Sequence, residues 1–480
     1  MIDYTSISRV YFLGIGGIGM SALARYYQSK KAVVAGYDKT PTALTKQMEA
    51  AGINIHYEDS VALLDKDAQL IIYTPAVPKD SLELNYYIGQ NYAMAKRSTV
   101  LGAITKSSYS ICVAGTHGKT TISTMIAHVL RDSGFGCNAF LGGISVNYNS
   151  NFWPSENNVS VCEADEYDRS FLTLSPDVAV ISSMDADHLD IYGTKENMEN
   201  AFAEFTSKLK PGGLLITKYG VADKNISSPL HIRYSLQNNN ADAYATDVTM
   251  KNGGYIFNVV VKNYLINNVK LKMGGMHNVE NAVAAIVIAK HLKIDDERIR
   301  NAMATFKGVK RRFEYIIGPR ERSTAKIPDY VSGKLEPAQP VIFIDDYAHH
   351  PQELEALVKS AKALFSGRTC TLIFQPHLFS RTRDLAKEFA QSLDLADEVL
   401  LLPIYPAREM PIEDVDSNMI AGYMKNKNVH VMSKENVFGF ITNDFMKRIR
   451  DSANGELLIT AGAGDIDLMV NKIKEIIQAY

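Results

Sequence analysis

Two glycine-rich loops carry the most specific chemical signals in this sequence. One of them, residues 114–121, reads AGTHGKTT and ends in Gly118, Lys119 and Thr120, as phosphate-binding loops do. The standard pattern G-x-x-x-x-G-K-[ST] would place a glycine where this chain has Val113. The backbone amides of such a loop cradle phosphates, its lysine neutralises the β and γ phosphates, and its threonine hydroxyl binds Mg²⁺. The stretch therefore predicts an ATP site.

The other loop, GIGGIG, lies about a hundred residues earlier and matches the dinucleotide pattern G-x-G-x-x-G. It follows an apolar strand-like run and precedes a helix-like segment, a context in which glycines let backbone N–H groups approach a diphosphate. Asp38 ends the next strand, where a carboxylate would bind the ribose of NAD or FAD. Any nucleotide diphosphate suits such a loop, and a tight turn without a ligand is the alternative. The predicted binding residues are Gly14, Gly16, Gly17, Gly19 and Asp38.

Acidic side chains follow two further strand-like runs, in VCEADEYDRSFL and ISSMDADHLDIYG. Strand ends line the ligand crevice of open α/β sheets, and Mg²⁺ at a triphosphate prefers carboxylate oxygens. Glu163 and His188 are therefore predicted metal ligands, together with the hydroxyl of Thr120. The neighbouring acidic residues are interpreted as turn and helix-cap residues: Asp165, Asp168 and Asp190.

Two later stretches offer polar groups for a phosphorylated ligand. GGMHNVENAVAAIVIAKHL places Asn278 and Asn281 at the start of a helix predicted over about 279–292, where an N-cap role for Asn278 is the alternative. KGVKRRFEYI contributes Arg312, whose guanidinium fork suits phosphate or carboxylate, although surface arginine clusters are equally common.

The last third of the chain has two polar stretches, IDDYAHHPQE and FQPHLFSRTRD, each directly after an apolar strand. Adjacent histidines would suit zinc, but no third ligand follows at the spacing of a zinc site. Recognition of an amino group and a carboxylate is the interpretation that we prefer. The predicted residues are Asp346, Tyr347, His349, His350, Arg381 and Arg383.

Three successive alternations of strands and helices must position these residues. Short β-branched runs alternate with helix-length segments in each of them. The predicted strands of the first are RVYFLG, KAVVAGYD, INIHY and AQLIIYT, within 9–105; those of the second are SYSICVAG, NVSVCEAD, PDVAVISS and GGLLIT, followed by a β meander around 242–274; and those of the third are PVIFIDDYAHH, TCTLIFQPH, DEVLLLPIYP, NVHVMS and GELLITAGAGD. This pattern predicts an α/β protein of three domains. They are an N-terminal Rossmann-like domain (1–105), a central P-loop-type ATPase domain with a mostly parallel sheet (106–311) and a C-terminal Rossmann-like domain (312–480).

The composition excludes several classes of partner. Of the 480 residues, 46% are hydrophobic and 22% are charged, and the net charge of -2 argues against nucleic acid or an anionic membrane surface as a partner. No apolar run is long enough to span a bilayer, and no secretory signal is visible. The four cysteines are scattered and predict buried, reduced thiols. We therefore expect a cytoplasmic protein, as a monomer or homodimer, acting on small molecules.

Taken together, these stretches resemble the Mur ligase family, and within it the alanine-adding branch. The shortened loop GTHGKTT is the form that these ATP-dependent amide ligases share with folylpolyglutamate synthetase. The resemblance spans nearly the whole chain in the family's order. It rests on FLGIGGIGMSALA, EADEYDRSFL, DADHLDIYG, HNVENAVAA, RRFE, DDYAHHPQE, FQPHLFSRTRDL, YPAREMP and GAGDI.

The resemblance implies a distinct substrate for each domain. The first would hold the UDP end of UDP-N-acetylmuramic acid rather than NAD, the second ATP with Mg²⁺, and the third L-alanine, in peptidoglycan precursor synthesis. The implied catalytic residues are Lys119, Glu163, His188, Asn278 and Arg312. The implied ATP-binding residues are Gly115, Thr116, His117, Gly118, Lys119, Thr120, Thr121, Asn278, Asn281 and Arg312.

One departure from the wider family is informative. Ligases of the later peptide steps carry a carbamylated lysine about fourteen residues after the aligned histidine, whereas this chain has Phe202, as the alanine-adding branch does. A ligase that recycles a murein tripeptide is the related alternative. An NAD-dependent oxidoreductase would leave GTHGKTT and Glu163 without a role, and a non-catalytic nucleotide-binding regulator would leave DDYAHHP and SRTRD without one.

Overall fold

The computed structural model forms two compact units. Unit 1 comprises Met1–Thr246, Asn258–Val269 and Glu280–Phe306, and unit 2 comprises Asp247–Phe257, Lys270–Val279 and Lys307–Tyr480. The structure describes residues 3–185, 189–221, 226, 228–319, 340–407, 409–452 and 454–479.

The first sheet of unit 1 is a five-stranded parallel sheet in the order β3-β2-β1-β4-β5. Its strands are β1 (Arg9–Leu13), β2 (Val33–Tyr37), β3 (Asn54–His56), β4 (Leu70–Tyr73) and β5 (Met94–Lys96), with α1 (Ile18–Ser29), α2 (Ala43–Ala50), α3 (Leu82–Gly89) and α4 (Arg97–Ser107). Alternate side chains of β1 enter different hydrophobic clusters, Val10 and Phe12 one and Tyr11 and Leu13 the other. Both faces of the strand are therefore buried, as expected of a central parallel strand.

The second sheet has ten strands in the order β15-β14-β13-β12-β11-β10-β6-β9-β7-β8. The pairs from β13 to β7 in this order are parallel, and the edge strand β8 is antiparallel to β7. The strands are β6 (Tyr109–Ala114), β7 (Asn138–Ser145), β8 (Ser150–Trp153), β9 (Val159–Glu163), β10 (Val178–Ile181), β11 (Leu214–Lys218), β12 (Leu230–Ser235), β13 (Ala243–Lys251), β14 (Gly254–Val261) and β15 (Tyr264–Leu271). The helices are α5 (Lys119–Asp132), α6 (Leu189–Tyr192), α7 (Lys195–Ser207), α8 (Met276–His291) and α9 (Asp296–Thr305), with a 3₁₀ turn over Ser170–Thr173.

Helix α1 of the first sheet packs directly on the β7–β8 hairpin of the second. The ring of Tyr26 lies 5.4 Å from that of Phe140 and 6.2 Å from that of Phe152, between centroids. The Asn151 side-chain amide donates to the carbonyl of Ile18 over 2.6 Å. The two sheets therefore share one hydrophobic cluster.

The sheet of unit 2 has six strands in the order β16-β17-β21-β18-β19-β20, all parallel except β16. The strands are β16 (Glu314–Ile317), β17 (Val341–Asp346), β18 (Thr369–Phe374), β19 (Glu398–Leu401), β20 (Val429–Val431) and β21 (Glu456–Ala461). The helices are α10 (Pro351–Leu364), α11 (Phe379–Leu393), α12 (Ser417–Tyr423), α13 (Lys434–Phe440), α14 (Met446–Asp451) and α15 (Asp467–Gln478), with a π-helical turn over Ile441–Phe445. Ile342 and Ile344 pack on one face of the sheet, and Val341 and Phe343 on the other.

The predicted α/β class and its mostly parallel sheets are confirmed. Five strands were not predicted, namely β5, β7, β8, β12 and β16, and α8 begins three residues before the predicted start. All four cysteines are free and buried, as expected. Within the described ranges, no helix is both long enough and apolar enough to span a membrane.

Candidate active site

The predicted ATP loop connects β6 to α5 in unit 1 and requires its glycines. Gly115 and Gly118 have φ angles of +129° and +84°, which L side chains rarely adopt. A Cβ on Gly115 would also lie 2.8 Å from the amide nitrogen of Ser183 and still closer to the hydroxyl of Ser182. The loop therefore passes so close to Ser182 and Ser183, which follow β10, that a side chain at position 115 would not fit.

Ser182 and Ser183 fix the conformation of this loop through hydrogen bonds. The amide of His117 donates to Ser183 Oγ over 2.7 Å, and the hydroxyl of Thr116 lies 2.9 Å from the same oxygen. Ser182 Oγ donates to the carbonyl of His117. The sequence alone indicates no role for either serine, although both stand in the stretch ISSMDADHLDIYG.

Helix α5 begins directly after the loop. Its N-cap is Gly118, which has no side chain that could cap the first-turn amides. Lys119, Thr120 and Thr121 form the turn that the sequence predicts to face phosphate, since the N–H groups at a helix start and the helix dipole favour an anion. Asn281, on α8, lies beside the loop, because its Oδ1 is 3.2 Å from where a Cβ on Gly118 would stand.

The ammonium of Lys119 contacts two groups of the protein itself. It donates to the carbonyl of Gly115 and to Glu166 Oε1, each over 2.7 Å. Glu166 is fully buried, and its backbone carbonyl accepts a hydrogen bond from the Tyr192 hydroxyl over 2.6 Å. The sequence alone does not single out Glu166, because nothing in EADEYDRSFL distinguishes it from the acidic residues of a turn.

Glu163 stands at the end of β9, directly beside the strand that leads into the ATP loop. Its Oε1 accepts hydrogen bonds from the amide of Gly142 over 2.9 Å and from the hydroxyl of Ser123 over 3.3 Å, and the Thr120 side chain also binds the carboxylate. Burial raises the pKa of Glu163, while the hydrogen bonds from Gly142 and Thr120 and the charge of Lys119 oppose that rise. The carboxylate is therefore held in place by hydrogen bonds from three residues.

The residues around Glu163 fit Mg²⁺ bound together with a triphosphate. Among the described residues, no three His, Cys, Asp or Glu side chains are grouped so that they could hold a metal ion by themselves. Mg²⁺ is usually held by one or two carboxylates, with phosphates and water as its other ligands. Glu163 and Thr120 supply two suitable oxygens. The predicted ligand His188 and the side chain of Asp190 lie outside the described residues.

The other acidic residues after β9 serve as turn residues, as interpreted from the sequence. Asp165 Oδ1 accepts the amide of Tyr167 over 3.2 Å, and Asp168 Oδ1 accepts the amide of Ser170 over 3.0 Å. Phe202 is fully buried and packs edge-on against Phe171, so it belongs to the hydrophobic core.

The dinucleotide-type loop begins with the backbone conformation that its glycines predict. Gly14 has a φ angle of +81°, and its amide donates to the carbonyl of Tyr37 over 2.8 Å. The amide of Gly16 donates to Asp38 Oδ2 over 2.7 Å. In this structure Asp38 thus supports the loop itself. Gly17 is the N-cap of α1 and has no side chain that could cap the helix.

Arg97 is a further basic residue at this loop, which the sequence did not indicate. A Cβ on Gly19 would lie 3.1 Å from Arg97 Cδ and 3.1 Å from Arg97 Nη1. The guanidinium group of Arg97 therefore lies beside the first turn of α1, next to Gly19. This combination suits a diphosphate.

Unit 2 contains Asn278 and Arg312. Asn278 is the third residue of α8 rather than its N-cap, and its amide group donates to the carbonyl of Gly274 over 2.6 Å. The N-cap alternative is therefore wrong, because the helix begins before Asn278. The guanidinium of Arg312 lies 5.6 Å from the centre of the Tyr347 ring, within the range of a cation–π contact.

Asp346 organises the polar end of β17. Its two carboxylate oxygens accept the amides of Phe313 over 2.6 Å and Ala348 over 2.8 Å, and burial raises its pKa to about 6. Nδ1 of His349 lies 3.0 Å from the carbonyl oxygen of Tyr347, and burial lowers the pKa of His349. Burial therefore favours the neutral form of the His349 imidazole.

Only some of the residues predicted to recognise an amino group and a carboxylate are placed for that role in the structure. The ring of His349 lies 6.0 Å from that of His377, between centroids, and Arg381 Nη1 is buried without a hydrogen-bond partner among the described residues. In contrast, His350 is the N-cap residue of α10, and Arg383 is an exposed residue that donates to the adjacent Asp384 over 2.7 Å. Arg381 is thus the better placed arginine for a carboxylate.

Comparison with known proteins agrees with this architecture along the whole chain. Three family models match: the Mur ligase family catalytic domain over residues 9–109, the Mur ligase middle domain over 113–289, and the Mur ligase glutamate ligase domain over 332–464. The UDP-N-acetylmuramate--L-alanine ligase of Cytophaga hutchinsonii is 45% identical, over 98% of this chain and 97% of that protein. The enzyme of the same name from Porphyromonas gingivalis is 42% identical, over 98% and 99%.

Solved structures show the same fold. The UDP-N-acetylmuramate-alanine ligase of Thermotoga maritima has a TM-score of 0.78 at 27% identity, covering 98% of this chain and 99% of that one. A murein peptide ligase from Psychrobacter arcticus has a TM-score of 0.64 at 20% identity, over 98% and 99%. With three matching family models in chain order, and full-length relatives at 42% identity or more, this chain belongs to the Mur ligase family.

Proposed function

We propose that this chain is an ATP-dependent ligase that joins L-alanine to the lactyl carboxylate of UDP-N-acetylmuramic acid, with ADP and phosphate as products. The observation that carries this proposal is its 45% identity, over nearly the full length of both chains, to a UDP-N-acetylmuramate--L-alanine ligase. The reaction belongs to peptidoglycan precursor synthesis and hence to cell wall biogenesis. A murein tripeptide ligase is the less supported alternative, because the murein peptide ligase of Psychrobacter arcticus shares 20% identity with this chain, whereas the L-alanine ligase of Cytophaga hutchinsonii shares 45%.

We assign one substrate to each proposed domain. Residues 1–105 bind the UDP-sugar through the loop at Gly16, residues 106–311 bind ATP through Lys119 and its loop, and residues 312–480 bind L-alanine. The buried, unpartnered Nη1 of Arg381 supports the last assignment, since a carboxylate would satisfy it.

The first chemical step activates the lactyl carboxylate. A carboxylate is a poor acylating agent because its leaving group would be oxide, so one carboxylate oxygen attacks the γ-phosphate and ADP leaves. Lys119 and Arg312 disperse the negative charge of the transferring phosphoryl group, and Asn278 and Asn281 help to hold the nucleotide. When bound, Mg²⁺ would supply further positive charge at the triphosphate, and Thr120, Glu163 and His188 are the residues that would hold it.

The second step forms the amide. The neutral amine of L-alanine attacks the acyl carbon of the acyl phosphate, and inorganic phosphate leaves from the tetrahedral intermediate. The amine must first lose a proton, for which His349, His188 and solvent are the candidates. The lowered pKa of His349 supports it as an acceptor, because a neutral imidazole has a free lone pair.

We further propose a cytoplasmic enzyme, a monomer or homodimer, whose partners are its small-molecule substrates rather than nucleic acid or membrane. A net charge of -2 supports this, since nucleic acids and anionic membranes attract strongly basic surfaces.

An isotope experiment tests the proposed chemistry. UDP-N-acetylmuramic acid with heavy oxygen in its lactyl carboxylate is incubated with ATP, Mg²⁺ and L-alanine, and the released phosphate is examined by mass spectrometry. An acyl-phosphate route transfers one heavy oxygen to each phosphate. Unlabelled phosphate, formed together with the amide product, would exclude that route.

A further inference from the structure

The phosphate-binding lysine of this protein is occupied by its own neighbours. Lys119 donates to Gly115 O, four residues earlier in the same loop, and to Glu166 Oε1. Only 17% of the Lys119 side chain is exposed. An ammonium has three donors, and two of them are used here. A triphosphate that takes two donors of Lys119 must therefore displace at least one of these partners.

Glu166 is an incompletely satisfied partner. Its side chain is fully buried, yet Oε2 makes no hydrogen bond to any described residue. A buried ion pair stabilises a fold only when further hydrogen bonds satisfy its remaining atoms, and here one oxygen lacks them. The residue is nevertheless held in place, because the hydroxyl of Tyr192 binds its backbone carbonyl. The pair thus has the features of a contact that changes with ligand rather than a fixed structural bridge.

We propose that Glu166 is a positioning residue that holds the Lys119 ammonium in the nucleotide-free protein and competes with the triphosphate for it. This inference rests on the proposed function, which makes ATP the ligand of the loop. When Lys119 moves to the phosphates, Glu166 loses its charge partner while still buried, and that cost lowers the affinity for ATP. In return, the lysine stays beside the loop instead of sampling many rotamers.

Calorimetric titration of ATP with Mg²⁺, without sugar or amine, tests this competition. The variants are Glu166→Gln, which keeps the shape but removes the charge, and Glu166→Asp, which keeps the charge. Asp168→Asn is the matched control, because Asp168 is an exposed carboxylate of the same loop, and its Oδ1 accepts a hydrogen bond from the amide of Ser170. Lys119→Ala, alone and combined with Glu166→Gln, completes a double-mutant cycle.

We expect Glu166→Gln to bind ATP about tenfold more tightly than the wild type, while Asp168→Asn and Glu166→Asp stay within about twofold. With Lys119→Ala in the background, the gain from Glu166→Gln should disappear. In turnover, Glu166→Gln should lower both the KM for ATP and kcat, because the nucleotide binds better but the lysine is less well positioned. Thermal unfolding of each variant verifies that it is folded.

Unchanged or weaker ATP binding by Glu166→Gln would overturn the proposal. An equal gain in the Lys119→Ala background would also overturn it, since the effect would then be one of net charge alone. Should Glu166→Gln fail to fold, a Glu166→Asp variant that binds ATP more than about tenfold less tightly would have the same consequence. Failure of the proposed function looks different, because the wild type would then bind no ATP or would turn over without need of L-alanine.

Discussion

Replacing Gly142 by alanine tests whether Glu163 acts where the structure holds it. Gly142 has an ordinary backbone conformation, so alanine introduces no backbone strain. Its methyl group would lie 2.7 Å from Cδ and 2.7 Å from Oε1 of Glu163, and still closer to Oε2. Ordinary contacts begin near 3.4 Å, so the carboxylate must move by about 1 Å.

The two consequences of this movement differ in size. The carboxylate is the end of a flexible side chain and can rotate, so we expect the free energy of unfolding to fall by less than about 2 kcal/mol. In contrast, a displacement of about 1 Å near the reacting atoms costs roughly a hundredfold in rate, or about 2.7 kcal/mol in the activation free energy. The variant should therefore be folded but slow.

The assay is the initial rate of phosphate release at saturating substrates over a range of Mg²⁺ concentrations. We expect Gly142→Ala to need more Mg²⁺ and to reach a lower maximal rate. Gly89→Ala is the matched control, because a Cβ there would meet no heavy atom within 4 Å. If Gly142→Ala has the rate and the Mg²⁺ dependence of the wild type, Glu163 is not the metal ligand that we infer.

Three further variants test other parts of the molecule. A Cβ on Gly16 would lie 2.8 Å from Asp38 Oδ2, so Gly16→Val should raise the KM for UDP-N-acetylmuramic acid at least about tenfold, and leave ATP binding in calorimetry unchanged. Burial raises the pKa of Glu83 to about 7 from 4.5, so the native state holds a proton that the unfolded chain has lost. The stabilising contribution of protonated Glu83 is therefore complete below pH 4.5 and is lost as the pH rises through about 7. Glu83→Gln should flatten the pH dependence of the unfolding temperature between these two pH values. Arg381→Lys, which lacks the guanidinium fork, should raise the KM for L-alanine about tenfold without changing the KM for ATP. A KM for L-alanine equal to that of the wild type would refute our assignment of Arg381.

Features with a local cause were predictable from the sequence. The two glycine loops stand between strand-like and helix-like runs, and the structure places both at the junctions where Gly14 and Gly118 adopt positive φ angles. The parallel sheets follow from apolar runs separated by helix-length segments. The strand β7 was missed because its sequence, NAFLGGIS, has adjacent glycines that interrupt the apolar pattern.

Features that arise from tertiary contacts were not predictable. Glu166 is one of several acidic residues in its stretch, and only its burial beside Lys119 distinguishes it. Gly142 is remote in sequence from Glu163, so a single sequence gives no sign that its amide binds that carboxylate. The apparent N-cap Asn278 was ambiguous, because an asparagine near a helix start has the same local pattern whether it caps the helix or lies inside it.

Phosphate release from ATP in the presence of Mg²⁺ and UDP-N-acetylmuramic acid tests the proposed function most directly. The amines compared are L-alanine, the L-alanyl-γ-D-glutamyl-diamino acid tripeptide, and none. We expect release that depends strongly on L-alanine. Release that depends instead on the tripeptide, or no release with either amine, would contradict the assignment of this chain as the alanine-adding ligase.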